Sequence, residues 1–173
     1  IGKAYAFTAF RIGYVACEKR LAEEISKLHL YCVIQAPPSG QMAAVAALTG
    51  PQDDRKKFLA ELDNRRRTFV KELNSIYGFS CAMPKGAYWT FPNIRKLLAE
   101  KGEAIREYLS KYEEVPKSGS NQVQDFLLHS ARVAVGGNYF GYVGEGYLRM
   151  SYAGPVSESM EALIRIKEAV SKL

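Results

Sequence analysis

Two cations eight residues apart, Lys3 and Arg11, open the chain's chemistry in the run Gly2-Lys3-Ala4-Tyr5-Ala6-Phe7-Thr8-Ala9-Phe10-Arg11-Ile12-Gly13-Tyr14. Most lysines and arginines are solvated surface charges. Here both stand among small and aromatic residues, a context suited to their desolvation. A lysine amine becomes a usable nucleophile when burial or a neighbouring cation lowers its pKa, and an arginine stays charged and can grip a phosphate through two parallel hydrogen bonds. Those are the two demands of a phosphate-bearing group held as a Schiff base.

A third cation, Arg149, lies in Gly144-Glu145-Gly146-Tyr147-Leu148-Arg149-Met150-Ser151-Tyr152. Leu148 and Met150 pointing inward put Arg149 on the opposite face of a strand. That placement suits either a cation in water or a carboxylate receptor, for which planar guanidinium geometry is favourable. Between these cations, Pro84-Lys85-Gly86 makes a turn, with Tyr88 and Trp89 as core aromatics or pocket lining. Cys17, Cys32 and Cys81 are odd in number and form no CxxC pair, and His29 and His129 complete no zinc pattern, so no metal is expected. Three buried, reduced cysteines and a cytoplasmic location are the expectation.

The elements that must carry these residues follow from the pattern. Leu21, Ile25, Leu28 and Cys32 recur at helical spacing, which predicts a helix over about 17–32. Pro37-Pro38-Ser39-Gly40 breaks it, and Gln41 to Leu48 suits a buried helix ended by Gly50-Pro51. Asp53 to Tyr77 predicts a long helix, long enough to join two domains. Strands are expected at 79–83 and 87–91, helices at 95–100, 103–112 and 122–130, and a flexible run at 116–120. Further strands at 132–135 and 147–152 flank the glycine-rich 136–146, and a last helix capped by Ser157 turns Met160, Leu163, Ile166 and Val170 inward. From Asp53 onward this is a small α/β sandwich of sheet and covering helices.

With 173 residues, 47% of them hydrophobic, the chain is long enough to bury a core. No apolar run reaches the length of a membrane span, so no membrane is expected. The net charge is +6, yet its densest cluster, Arg65-Arg66-Arg67, sits among Glu61, Asp63 and Glu72. A solvated helix face, with no nucleic-acid partner, is the expectation. Ile1 leads straight into motif-like sequence without an initiator Met or a signal-peptide layout, so a preceding segment is expected.

The opening run resembles the cofactor-lysine motif of the class I/II, fold type I pyridoxal-phosphate aminotransferases. Lys3, Ala6, Phe7, Ala9, Arg11, Ile12 and Gly13 match in order, and Gly2 stands where many members have Ser. The segments around Arg149, Tyr88 and Asn138 are similar to three further family segments, so the resemblance runs through essentially the whole chain. It implies residues 1–52 as the end of the large cofactor-binding domain and 53–173 as the small C-terminal α/β domain. It also implies that Lys3 carries pyridoxal 5'-phosphate as a Schiff base and moves the substrate proton, that Arg11 holds the phosphate, and that Arg149 grips the substrate α-carboxylate. The implied partners are an amino acid, a 2-oxo acid and a second copy in a homodimer.

Family members are more than twice as long, and the part absent here tunes the ring, so the chain alone is expected to be inactive. Gly136 stands where proline is common, which predicts a more mobile loop at 135–141. Nothing at 37–41 would read a side-chain carboxylate. A lyase or acyltransferase on the same fold, or an effector-sensing domain of a transcription regulator, are the alternatives to transamination.

Overall fold

The computed structural model describes residues 1–112 and 114–173. Its contacts divide the chain into two compact units, Ile1–Leu59 and Ala60–Leu173. The division falls within a helix.

In the first unit a single 3-10 turn, Thr8–Phe10, precedes helices α1 (Lys19–Val33) and α2 (Pro38–Thr49) and the start of α3 (Asp53–Leu73). Pro38 begins α2 at the position where a missing N–H costs nothing and a fixed φ is already helical. Gly50 ends it by donating its N–H to the Ala46 carbonyl, and a Cβ there would meet that oxygen at 2.6 Å. The burial expected of α2 is not found within this chain. Only Gly40 and Ala44 of the unit are buried, while Met42 is 71% and Val45 55% exposed. On α1, Leu21, Leu28 and Tyr31 likewise face outward. Cys17 and Cys32 are exposed too, so of the three cysteines, all free, only Cys81 is buried. Burial pushes the Cys81 thiol up from its ordinary pKa, which keeps it protonated and inert.

The second unit holds the core. The end of α3, a two-stranded antiparallel ribbon of β1 (Trp89–Thr90) and β2 (Met150–Ser151), and helices α4 (Arg95–Leu109), α5 (Gly119–Ala131) and α6 (Val156–Ser171) surround Leu73, Ile94, Leu97, Ile105, Leu148 and Ile166, none with any accessible surface. α5 packs between α4 and α6. Trp89 pairs with Ser151 and Thr90 with Met150, and the same register continues to an isolated bridge between Asn93 and Tyr147.

Several expected elements differ, each for a visible reason. The strand expected at 79–83 is reduced to one bridge, Ser80 with Asn93. The Asn74 side chain takes both backbone groups of Cys81, accepting from its N–H at 2.7 Å and donating to its carbonyl at 3.0 Å, so nothing is left for a ladder. At 132–135 the chain instead terminates α5, with Arg132 in the left-handed region (φ 54°) and Val133 donating to the Leu127 carbonyl. The two helices expected on either side of Gly102 are one, because Gly102 is buried and its lost helix propensity of about 1 kcal/mol is offset by packing. Ser157 lies inside the first turn of α6, and Pro155 takes the cap position without a side-chain bond.

The run 116–120 leads into α5 through its cap Ser118, whose hydroxyl accepts from the Asn121 N–H at 3.3 Å, and Gln122 donates to the Pro116 carbonyl at 2.7 Å. The arginine cluster is used internally. Arg65 donates to Glu61 and to the carbonyls of Ala153 and Gly154, and Arg66 donates to Asp63 and the Pro84 carbonyl. Hydrogen bonds from Arg66 first, then Arg67, hold the Asp63 carboxyl below its ordinary pKa. A lowered carboxylate pKa favours the folded state above the ordinary range and loses that contribution as pH falls through the lowered value.

Among the described residues, no helix is long and apolar enough to cross a membrane. The open face of the first unit is more than isolated apolar residues: a groove of about 910 Å³ runs between α1 and α2, lined by Ile12, Ala22, Ile25, Val45 and Leu48 among others. Contiguous apolar patches beyond a few hundred Å² are rare on monomers. The 173-residue chain produced by itself should therefore self-associate through its first unit, as read by light scattering across a concentration series. A monodisperse monomer at all concentrations would contradict this.

Candidate active site

Lys3 and Arg11 come to line one cavity because the first thirteen residues fold back on themselves. The Thr8 hydroxyl donates to the Gly2 carbonyl at 3.1 Å, Phe10 N–H donates to the Phe7 carbonyl at 3.1 Å, and Arg11 donates from one terminal nitrogen to the Thr8 carbonyl at 3.4 Å. Ala6 (φ 57°) and Arg11 (φ 49°) sit in the left-handed region, which costs a non-glycine residue about 1–2 kcal/mol. Strained backbone of this kind persists where surrounding bonds fix it, and it is common at functional sites. The result is one open cavity of about 290 Å³ lined by Gly2, Lys3, Phe7, Thr8, Arg11, Ile12 and Gly13. Lys3 and Arg11 thus border a common space. An amine and a guanidinium make a donor set that fits a phosphate-bearing carbonyl compound.

The segment is pinned by a residue that the sequence did not single out. Gln52, just ahead of α3, accepts from the Tyr5 hydroxyl at 3.0 Å and donates to the carbonyls of Ala47 and Gly50. Arg55 lies 5.8 Å from the centre of the Tyr5 ring. A glutamine between a helix end and a helix start carries no motif, so only the fold reveals it. The desolvation expected of Lys3 and Arg11 is not supplied by this chain, where both are exposed. Phe7 and Phe10 pack on each other at 4.8 Å and leave the cations uncovered.

Arg149 belongs to the second unit. Leu148 is wholly buried and Met150 is 5% exposed, so strand alternation turns Arg149 outward, as its neighbours predict. It exchanges both backbone hydrogen bonds with Gly136, at 2.8 and 2.9 Å. Its guanidinium carbon lies 4.3 Å from the Trp89 ring centre and 5.1 Å from that of Phe140. Of the two aromatics in doubt, Tyr88 packs partly buried against the core and Trp89 lines this site. The aromatic row continues, since Phe140 meets Phe91 edge-on at 5.5 Å and Phe91 stacks on Tyr147 at 5.0 Å. Phe140 was missed in the sequence because it reaches Arg149 from a loop. Among the described residues no group of His, Cys, Asp and Glu could hold a metal ion.

Comparison with known proteins decides the family. The sequence model of aminotransferase class I and II matches residues 1–166. The chain belongs to the class I and II aminotransferases. It is 32% identical over 171 residues to the aspartate aminotransferase of Pyrococcus horikoshii, covering 97% of this chain and 39% of that protein. It is also similar to the crystal structure of the aspartate aminotransferase from Rhizobium meliloti, with a TM-score of 0.82 and 32% identity over 99% of this chain and 40% of that one. The aromatic aminotransferase from Pyrococcus horikoshii gives a TM-score of 0.81 at 30% identity, over 98% and 41%. The α/β fold of the family's C-terminal part is therefore the fold of this chain, which spans about two fifths of the length of these relatives.

Trp89 is the chain's only tryptophan. A double-mutant cycle of Trp89→Leu and Arg149→Leu, measured by denaturant unfolding, should return a favourable coupling of about 0.5–1 kcal/mol, as for an exposed cation over an aromatic face. Strict additivity would exclude the contact.

Proposed function

We propose that the whole protein is a pyridoxal-phosphate-dependent aminotransferase that moves an amino group between an amino acid and a 2-oxo acid. The observation that carries this reading is the family match over 1–166, in which Lys3 and Arg11 line one cavity. The relatives' names as aminotransferases support transamination over a lyase or acyltransferase. In this proposal residues 1–52 complete the large domain, which explains why α1 and α2 show apolar faces here, and 53–173 form the small domain.

Bound to Lys3, the cofactor would act as an electron sink for the substrate α-carbon. Lys3 would hold it through Nζ and, once displaced by the substrate amine, carry the α-proton away and return it. Arg11 would fix the phosphate by charge and paired N–H donors. Arg149 would present its planar fork to the substrate α-carboxylate, with Trp89 and Phe140 beside it to exclude water. A homodimer in the cytoplasm completes the proposal.

Two substitutions in the full-length enzyme separate these roles. Lys3→Ala should abolish borohydride-fixable attachment of the cofactor, read by mass spectrometry, and lower kcat by several orders of magnitude; attachment persisting at another lysine would overturn the assignment. Arg149→Ala should leave that attachment intact and raise KM for amino acids, with a loss in kcat/KM of about 2–3 kcal/mol for a charge-assisted pair. An unchanged kcat/KM would remove Arg149 from the carboxylate site.

A further inference from the structure

The glycine-rich stretch 136–146 holds both the backbone partner of Arg149 and the ring of Phe140, and one end of α5 holds the stretch. Gly137 N–H donates to Gln124 Oε1 at 2.7 Å and Asn138 N–H donates to Asn121 Oδ1 at 2.7 Å. Further along, the Glu145 carboxylate accepts from the Ser118 hydroxyl at 2.6 Å, the Ser120 N–H at 3.0 Å and Asn138 Nδ2 at 2.8 Å. Gly146 N–H donates to Ser120 Oγ at 2.8 Å. A carboxylate at the first turn of a helix suits the helix dipole and the unpaired N–H groups there. The stretch is thus tied to α5 at both ends, and residues 139–143 are left exposed between the ties.

We propose that Gln124 and Asn121, with Glu145, are positioning residues for Arg149: α5 sets the height of the glycine-rich stretch, and the stretch sets the guanidinium. The chain of contacts is short. Gln124 holds Gly137, the residue before it, Gly136, exchanges both backbone hydrogen bonds with Arg149, and Asn121 holds Asn138, two residues before the Phe140 ring that faces the guanidinium. Both side chains accept from the stretch, so what the stretch requires is an oxygen at each place; Gln124 also donates from Nε2 to the Asp125 carboxylate at 3.3 Å. Gly137 reports the same geometry from the other side. A Cβ there would lie 2.3 Å from Asn121 Oδ1 and 2.8 Å from Gln124 Oε1, so the close approach admits glycine alone unless both carboxamides withdraw. Bidentate carboxylate recognition depends on the plane and height of the guanidinium, and small misplacement of such a group is costly.

The inference rests on the reading of Arg149 as the carboxylate receptor, and its test keeps the two apart. In the full-length holoenzyme, α-methylaspartate and α-methylphenylalanine serve as probes, since they carry the α-carboxylate and lack the proton that would be removed. Gln124→Leu and Gly137→Ala should each weaken the tighter-bound probe and raise KM for the amino donor about tenfold, with kcat and the cofactor's absorbance within about twofold of wild type. Gln124→Glu made together with Asp125→Asn, which keeps the acceptor and removes the carboxylate that the lost amide had faced, should restore binding. If Arg149→Ala weakens the probe while Gln124→Leu and Gly137→Ala, both folded by circular dichroism, bind it as wild type does, the positioning role is refuted and the carboxylate reading survives. If Arg149→Ala leaves the probe unaffected, the carboxylate reading fails and this inference with it. Equal weakening by Gln124→Leu and by the Gln124→Glu, Asp125→Asn pair would also refute it, because the acceptor would then not matter.

Discussion

The site in the second unit depends on one constraint, the burial of Leu148 and Met150 on either side of Arg149. A strand alternates its side chains, so two inward neighbours leave the residue between them no choice of face. Leu148 has no accessible surface, and its N–H donates to the Pro92 carbonyl, which fixes both its depth and its register. A slip of one residue would place a guanidinium in a core of leucine and isoleucine, where a lone charge costs far more than the ribbon could return. The same register then aligns Trp89, Phe91 and Tyr147 along the outward face. The cation and its aromatic neighbours are therefore consequences of hydrophobic packing beneath them.

Polar side chains take over where the backbone cannot pair with itself. Asn74 satisfies Cys81, Gln52 joins Tyr5 to two carbonyls at the end of α2, and Asn121, Gln124 and Glu145 satisfy the N–H groups of the glycine-rich stretch and of the first turn of α5. Buried backbone groups without partners are expensive. Asn74 replaces ladder bonds, Gln52 and Glu145 serve helix ends, and Gln52, Asn121 and Gln124 fix segments that bear the candidate site residues. Sheet is scarce in this chain because such local substitutes are abundant.

The two units differ in what they bury. The second has a continuous core from Phe69 to Val170 and uses its polar residues to shape a surface. In the first, Gly40 and Ala44 alone are buried, and its helices keep their outline through propensity, the proline start and the glycine stop. Its cations are aimed by a strained turn and a few hydrogen bonds, not by packing.

Local chemistry was legible in the sequence. The spacing of Lys3 and Arg11, the alternation around Arg149, the proline and glycine stops and the period of the long helices all act within a few residues, and the resemblance to the aminotransferases rests on those same short runs. What the tertiary structure decided involves partners distant along the chain: Asn74 ending a strand at Cys81, Gly102 buried inside one continuous helix, Phe140 brought to Arg149, and α5 holding the stretch that carries both Gly136 and Phe140. A side chain's hydrogen-bonding capacity is written in its residue type. Which distant group uses it depends on the packed core that brings the two within 3 Å, and no periodicity along the chain encodes that meeting.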